Sequence, residues 1–324
     1  MTNPTSPTTI VIGGTGFVGY HATLELLKRG HTVTVLALDT PLDGLLPPDV
    51  RYVEGDIGKM DDEVLLEVLR GHNGLVYAAG ADDRTLPPRP AYPFFHLHNV
   101  ATVARVFALA REAGVCRGVV CSSYFAYFER THPEWNLAAH HPYIRSRAAQ
   151  APAAFTAGGD SLSVSVLELP YIFGSMPGRR PLWSPLIAYL RSPWPLFYTK
   201  GGTSMVPVAR VADAIAGALE RGEHGKSYPI GAENRTWAEL LGPLSRMAGK
   251  TKRVWTVPTF LVVMALALVG LYHRLQGRES GLHLSTFAKL QTRLTYFDPR
   301  PAQEALGFGG HGLDDALQDT VDAC

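Results

Sequence analysis

The chain has little of what marks several large classes of protein. It has almost no net charge: 30 Lys and Arg stand against 29 Asp and Glu, a formal +1. No global field draws nucleic acid, and none is expected as a partner. It has three cysteines, Cys116, Cys121 and Cys324. Three cannot all pair and their spacing suggests no metal site, so a reducing, cytoplasmic setting without a metal is expected. Residues 1–9 are polar, with two prolines and no basic stretch, before the chain enters an apolar run. No signal peptide is expected there.

The chain also lacks an apolar run of the about 18–20 residues that a membrane span requires. The nearest approach is residues 260–272 (FLVVMALALVGLY), flanked by Lys250, Lys252, Arg253, His273 and Arg274. Three readings stay open for the segment 257–272: a buried or substrate-covering helix, an apolar helix lying on a membrane surface, or a short span. What remains is ordinary globular composition, 46% apolar and 18% charged, over 324 residues. That length suits one large α/β unit and a smaller one. No internal repeat, low-complexity tract or clear linker interrupts it.

Residues 8–13 (TTIVIG) form a short β-branched run ending in glycine, which predicts a buried parallel strand. Residues 17–29 carry helical periodicity (Val18, Ala22, Leu26) and stop at Gly30. Further strands are expected at 32–38, 50–53, 75–78, 118–121 and 163–169. Helices are expected at 61–69, 93–113 and 141–157, with Pro152 as a candidate kink in the last. This alternation predicts an α/β fold with a doubly wound parallel sheet. After Pro170 the texture changes. Residues 171–205 are rich in proline and aromatics and read as loops and one helix around a pocket. Residues 211–219 read as a helix returning to the sheet. Residues 231–324 read as a second, mostly helical region. The expected division is 1–170 for the parallel-sheet domain, with 206–230 returning to it. Residues 171–205 and 231–324 are then left for substrate.

The turn Gly13-Gly14-Thr15-Gly16-Phe17-Val18-Gly19 follows the first strand and opens the first helix. There, one glycine permits a sharp turn, one permits close backbone approach to phosphate, and one permits tight helix–strand packing. The helix N-terminus offers free N–H groups to a pyrophosphate. At the end of the second strand, Ala37 and Leu38 precede Asp39, twenty residues after Gly19. Asp39 is a candidate for the ribose hydroxyls and equally a helix or turn cap. No arginine neighbours it in sequence, which favours NAD over NADP. Asp56, followed by Ile57, is placed to reach the adenine.

Two clusters carry the chemistry. Cys121-Ser122-Ser123 ends the fifth strand, and Tyr143-Ile144-Arg145-Ser146-Arg147 opens the next helix. Tyr143 and Arg147 are four apart and share a helix face. A tyrosine beside a cation and a hydroxyl ionises more easily, which suits a general acid/base at an alcohol oxygen. A neighbouring serine hydroxyl can hold the same oxygen.

With these motifs the chain resembles the extended branch of the short-chain dehydrogenase/reductase superfamily, which is built on a Rossmann-type sheet. That branch contains nucleotide-sugar epimerases and dehydratases, dihydroflavonol reductase-like enzymes and 3β-hydroxysteroid dehydrogenase-like enzymes. The resemblance covers nearly the whole chain, from the glycine turn through Gly55-Asp56, Tyr77-Ala78-Ala79-Gly80 and Asn99-Val100 to residues 294–307 (LTYFDPRPAQEALG). It implies catalytic roles for Ser123, Tyr143, Arg147 and Asn99. It implies cofactor contacts from Ala78, Ala79, Gly80, Tyr143, Arg147, Pro170 and Ile172, besides Gly13, Thr15, Gly16, Phe17, Val18, Gly19, Asp39, Asp56 and Ile57. It implies a homodimer through helices 93–113 and 141–157.

Three departures mark an outlying subfamily. Arg147 stands where the family has lysine, and the two cations are not interchangeable. Glu168-Leu169 replace the usual Arg-Pro, and Arg210 replaces an acidic residue. His140 and His141 read as a polar helix start, with proton shuttling as the alternative. His96 and His98 are two apart and do not face together. Arg179 and Arg180 are candidates for a substrate diphosphate or for solvated loop charge. The aromatics at 183, 194, 197 and 198 line a pocket or form the smaller core. Tyr124, Phe125 and Tyr127 are expected to border the substrate. The expected function is an NAD(P)-dependent oxidoreductase acting on a small molecule at a carbinol or carbonyl carbon, with a hydrophobic substrate suggested by residues 260–272. The alternatives are a nucleotide-sugar epimerase or dehydratase using bound NAD, and a non-catalytic dinucleotide sensor or scaffold.

Overall fold

The computed structural model describes residues 6–324; the expectation about a signal peptide falls partly on residues 1–5, outside the described residues. Strand β1 (Thr8–Ile12) is buried at every position but Thr8. It sits inside a seven-stranded sheet, since apolar residues on both faces require cover on both sides. The other strands are β2 (Thr32–Ala37), β3 (Arg51–Glu54), β4 (Gly74–Tyr77), β5 (Arg117–Ser123), β6 (Ser163–Leu169) and a late strand from residues 226–229. All pair in parallel, with β3-β2-β1-β4-β5-β6 and then the late strand at the edge. The order reverses between β1 and β4. The crevice beyond the carboxyl ends of these strands is where ligands bind in such sheets.

Helices cover both faces. On one side α1 (Phe17–Lys28) places Ala22 and Leu26 against Val11 and Val35, joined by Val211 and Ile215 from residues 208–221. On the other lie α2 (Asp62–Leu69), α3 (Ala91–His96), α4 (Thr102–Glu112), α5 (Tyr124–Thr131), α6 (Leu137–His140) and α7 (Pro142–Gly158). Leu65, Phe107 and Ala154 from this group meet Ile10, Ile12 and Leu75 of the sheet. A π-turn, Leu97–Ala101, joins α3 to α4. Helix α7 continues through Pro152, so the candidate kink does not end it.

Residues 171–205 hold more regular structure than expected. Strands β7 (Tyr171–Phe173), β8 (Leu196–Tyr198) and β9 (Gly202–Pro207) accompany the one helix, α8 (Ser184–Arg191). Helix α9 (Val208–Arg221) and β10 (Lys226–Pro229), the late strand, follow. Strand β9 pairs with β7, with β11 (Glu233–Thr236) and with β13 (Leu294–Thr295). Strand β8 pairs with β12 (Val254–Thr256). Strands of two to six residues with partners tens of residues away leave no local periodicity to read. Around them α10 (Trp237–Met247) and α14 (Leu313–Asp322) close a core of Phe173, Ile187, Leu190, Trp237, Leu241 and Leu317. Helix α11 (Thr259–Leu275), α12 (Leu284–Gln291) and α13 (Arg300–Leu306) complete the chain. The reading of 260–272 as a buried helix is corrected: α11 has no buried residue. Its neighbours cover one side only, and Leu268 is 68% exposed. Among the described residues no helix is long and apolar enough to cross a membrane.

Candidate active site

The glycine turn is shaped by close approach. Gly13 has φ +84°, and a Cβ there would stand 2.8 Å from the Ala78 carbonyl oxygen. A Cβ on Gly19 would overlap the Gly13 carbonyl oxygen, so α1 could not lie against the turn. Gly16 caps α1 without a side-chain hydrogen bond, and no acidic residue occupies the first turn. The N-terminal N–H groups therefore face the crevice unclaimed by side chains and favour an anion.

That crevice is a cleft of about 470 Å³. It runs past Gly13, Thr15 and Gly16, then Asp39, then Asp56 and Ile57, and back along Ala78, Ala79 and Gly80. It suits a dinucleotide, with N–H donors at its middle and carboxylates at one end. Phe17, Val18 and Gly19 lie beside or beneath the turn rather than along the open cleft; Gly19 is buried and Val18 packs on the sheet core. Asp39 is exposed, and its backbone carbonyl accepts a bond from the Tyr52 hydroxyl at 3.1 Å. The Lys59 ammonium and the Gly58 N–H hold the Asp56 carboxyl below its ordinary pKa. Arg179 lines the same cleft, although 140 residues separate it from Asp39 in sequence.

Ser123 ends β5 and caps α5, its Oγ accepting from the Phe125 N–H at 3.4 Å. Tyr143 stands in the first turn of α7, and Arg147 Nε donates to its phenol oxygen at 3.2 Å. The remaining Arg147 donors turn inward: Nη1 reaches Gln150 Oε1 at 3.0 Å and the Cys121 carbonyl at 3.5 Å, and Nη2 reaches the Ala81 carbonyl at 3.3 Å. Asn99, fully buried in the π-turn, accepts from the Ala81 N–H at 2.9 Å and donates to the Ala81 carbonyl at 3.0 Å and Ser146 Oγ at 3.1 Å. One network thus joins β4's outgoing loop, β5 and α7. Tyr143 and Arg147 lie under Ala81, beyond the open part of the cleft. Pro170 and Ile172 border neither the open cleft nor this network.

The ionisation of Tyr143 departs from the expectation. Burial pushes its pKa above the ordinary value, and nearby Asp83 pushes the same way. Arg147 and the Ser123 hydroxyl pull it down, but less than burial raises it. The sequence placed the cation and hydroxyl but not how deeply the fold buries the phenol, and that desolvation outweighs both.

Comparison with known proteins follows this geometry. Residues 13–158 match the family described as NAD(P)H-binding. The chain is 26% identical over 331 aligned positions to a putative dihydroflavonol 4-reductase of Synechocystis, spanning 96% of this chain and 92% of that protein. The chain thus carries an NAD(P)H-binding region and, over nearly its whole length, is similar to a dihydroflavonol reductase-like protein of the extended short-chain dehydrogenase/reductase type. It is an NAD(P)-dependent enzyme of the oxidoreductase, epimerase and dehydratase kind. A human sterol-4-alpha-carboxylate 3-dehydrogenase, decarboxylating, is 32% identical over 119 residues, 37% of this chain and 30% of that protein. The crystal structure of gox2253 superposes with a TM-score of 0.80 at 24% identity, covering 98% of both chains.

The three departures from the pattern the chain resembles have local causes. Arg147 is held by Gln150 and two carbonyls, so its longer side chain folds back to the phenol. Glu168 is buried at the end of β6 and receives both Arg130 Nη atoms, at 2.7 and 2.9 Å. Arg210 Nε donates to the His311 carbonyl at 2.7 Å.

Aromatic side chains wall Tyr143. Phe95 and Phe125 meet it edge-on at 5.7 and 6.5 Å, and Phe287 meets Phe125 at 6.2 Å. Tyr124 borders the same cluster, with Tyr127 partly buried at its rim. Of the aromatics at 183, 194, 197 and 198, Trp183 and Tyr198 join the smaller core, whereas Trp194 and Phe197 are exposed. None of the four belongs to the cluster around Tyr143. Arg180 is exposed. Among the described residues no group of His, Cys, Asp and Glu is arranged to hold a metal. Sequence reading missed Asp83 and the cleft position of Arg179. The acidic pair after β4 was the available signal for the first, and long-range folding hid the second.

His141 is buried, and its Nδ1 accepts the His283 N–H at 2.9 Å, which places the ring hydrogen on Nε2. Burial lowers its pKa from 6.5 to about 4, helped by His283 and His140. The folded value lies below the unfolded one, so the unfolded chain takes up the proton first as pH falls. The stability associated with a neutral His141 is whole above about pH 6.5 and is lost between about 6.5 and about 4, up to about 3 kcal/mol. His141→Gln should flatten the acid loss measured by urea midpoints across that interval. Equal acid sensitivity in variant and parent would refute this role.

Proposed function

We propose that the chain is a reductase/dehydrogenase interconverting a ketone and a secondary alcohol on an apolar small molecule. The observation that carries this reading is the Tyr143 phenol, bonded to Arg147 Nε at 3.2 Å and enclosed by Phe95 and Phe125. A bound nicotinamide dinucleotide supplies or accepts the hydride. In reduction the Ser123 hydroxyl donates a hydrogen bond to the substrate oxygen, and Tyr143 gives that oxygen its proton. Arg147 stabilises the phenolate left behind. Asn99 acts as a positioning residue, tying Ala81 to Ser146. Oxidation runs the same proton path in reverse.

The aromatic wall supports an apolar substrate, as does the likeness to a relative named for a sterol carboxylate. Asp39 at the cleft's end supports NAD over NADP, with Arg179 as the residue that would favour NADP. The same reading assigns residues 1–170 and 206–230 to the dinucleotide and residues 171–205 and 231–324 to the substrate. It assigns a homodimer through residues 93–113 and 141–157, a cytoplasmic setting, and contact with a membrane surface through residues 257–272.

A panel of apolar ketones and secondary alcohols, supplied with either dinucleotide, tests it by absorbance of the reduced nicotinamide. Net, stoichiometric cofactor oxidation with one ketone class is the expected result. Isomerised sugar nucleotide without net cofactor change would overturn it in favour of an epimerase.

A further inference from the structure

Helix α11 presents twelve consecutive residues without a charged, amide or hydroxyl side chain, residues 260–271. Phe260, Met264, Leu268, Leu271 and Leu275 recur at intervals of three and four and form one outward face, each more than half exposed. The patch continues beyond the helix. Strand β12 runs into α11 through Val257 and Pro258, and its Trp255 lies opposite Phe197 of β8 in register. Both rings are exposed, and so is Trp194. A soluble monomer seldom leaves so large an apolar surface bare.

Charge identifies what covers it. Residues 240–278 contain six Lys and Arg and no Asp or Glu, in a chain whose total is +1. Arg253 lies over the Trp255 ring at 4.6 Å, and Arg274 and Arg278 stand at the other end of the helix. We propose that α11 and the β8–β12 edge dock on an anionic phospholipid surface, with α11 lying in the plane of the headgroups. The basic residues meet lipid phosphates and carboxylates, the aromatic rings sit at the interface, and the apolar face enters the acyl boundary. A helix of this length spans about 26 Å, short of the about 30 Å hydrocarbon core, so it lies on the bilayer rather than across it. A second copy is a poor occupant, because a two-fold contact would set two acid-free basic patches face to face.

Docking there leads to the chemistry. The segment leaving α11 is clamped on the active site: the Gly281 carbonyl accepts the Tyr143 N–H at 2.9 Å, and Glu279 accepts the Ala91 N–H at 2.8 Å. A Cβ on Gly281 would stand 2.9 Å from Tyr143 Cβ. An apolar alcohol or ketone dissolved in the bilayer therefore enters beside α11; this delivery step deepens, and rests on, the reductase/dehydrogenase reading above.

Vesicle flotation with phosphatidylcholine, alone or mixed with phosphatidylserine, tests the docking without any turnover. The parent should float with phosphatidylserine vesicles, stay down with phosphatidylcholine alone, and be released by high salt. Met264→Asp/Leu268→Asp should abolish flotation, and Arg253→Glu/Arg274→Glu should weaken it more than tenfold, both with unchanged circular dichroism and dinucleotide binding. No flotation of the parent would overturn the proposal. So would flotation of the aspartate variant like the parent, or a variant whose only change is a dimer becoming a monomer. Turnover of a water-soluble ketone without vesicles, lost in Tyr143→Phe but kept in Met264→Asp/Leu268→Asp, separates a failure of docking from a failure of the chemical assignment.

Discussion

Replacing Tyr143 with phenylalanine should lower kcat by about 10²–10⁴-fold, the usual worth of a positioned general acid/base, while dinucleotide affinity stays near that of the parent. The substitution removes one oxygen and keeps the ring that packs on Phe95 and Phe125. Arg147 keeps its bonds to Gln150 and to the Ala81 and Cys121 carbonyls, so the network should hold its shape. The pH dependence carries a sign as well. Since burial raises the Tyr143 pKa, the phenol keeps its proton through neutral pH. Reduction, which uses the proton, should stay flat across neutrality. Oxidation, which needs the phenolate, should rise with pH in the alkaline range. The check is kcat in both directions against pH, for parent and variant; an alkaline rise that persists in Tyr143→Phe would assign the titration to another group.

The second large effect is expected at Gly19. A valine there would drive its Cβ into the Gly13 carbonyl and against Gly14 Cα, both backbone atoms with no rotamer to yield. Helix α1 would have to tilt from β1, opening the packing of Ala22 and Leu26 on Val11 and Val35. Overpacking of this kind costs about 3 kcal/mol. The N–H groups that face the pyrophosphate would move with the helix, so dinucleotide binding should fall below detection. Titration of intrinsic fluorescence with reduced nicotinamide dinucleotide, alongside thermal unfolding, measures both. Binding near the parent's affinity would show that the turn does not hold the cofactor.

The parts of the fold with strong local signals were legible in advance. The β-branched run before Gly13, the helix stopping at Gly30 and the strand at 163–169 each announce themselves within a dozen residues. The four-residue step from Tyr143 to Arg147 likewise puts a guanidinium under a phenol by helix geometry alone. The rest depends on contacts across the chain. The pairing of β8 with β12 joins residues nearly sixty apart. The ionisation of Tyr143 is set by rings from α3 and α5, with residue 287 of α12 behind them, and no reading of the sequence around Tyr143 contains them. Arg179 reaches the cleft from a loop that the sequence left between two readings. Helix α11 misled for another reason. Apolar composition normally signals burial, and only the fold reveals that none of the described residues covers its outer face.

We propose Ser123, Tyr143 and Arg147 as one acid/base unit at the end of the dinucleotide cleft. Its most direct test is a single turnover with reduced nicotinamide carrying deuterium at C4 and a ketone drawn from the active panel, comparing the parent with Tyr143→Phe. Deuterium is expected at the carbinol carbon with the parent, with formation of that product slowed about 10²-fold or more in the variant. Label transfer at equal rates in the two proteins would contradict it.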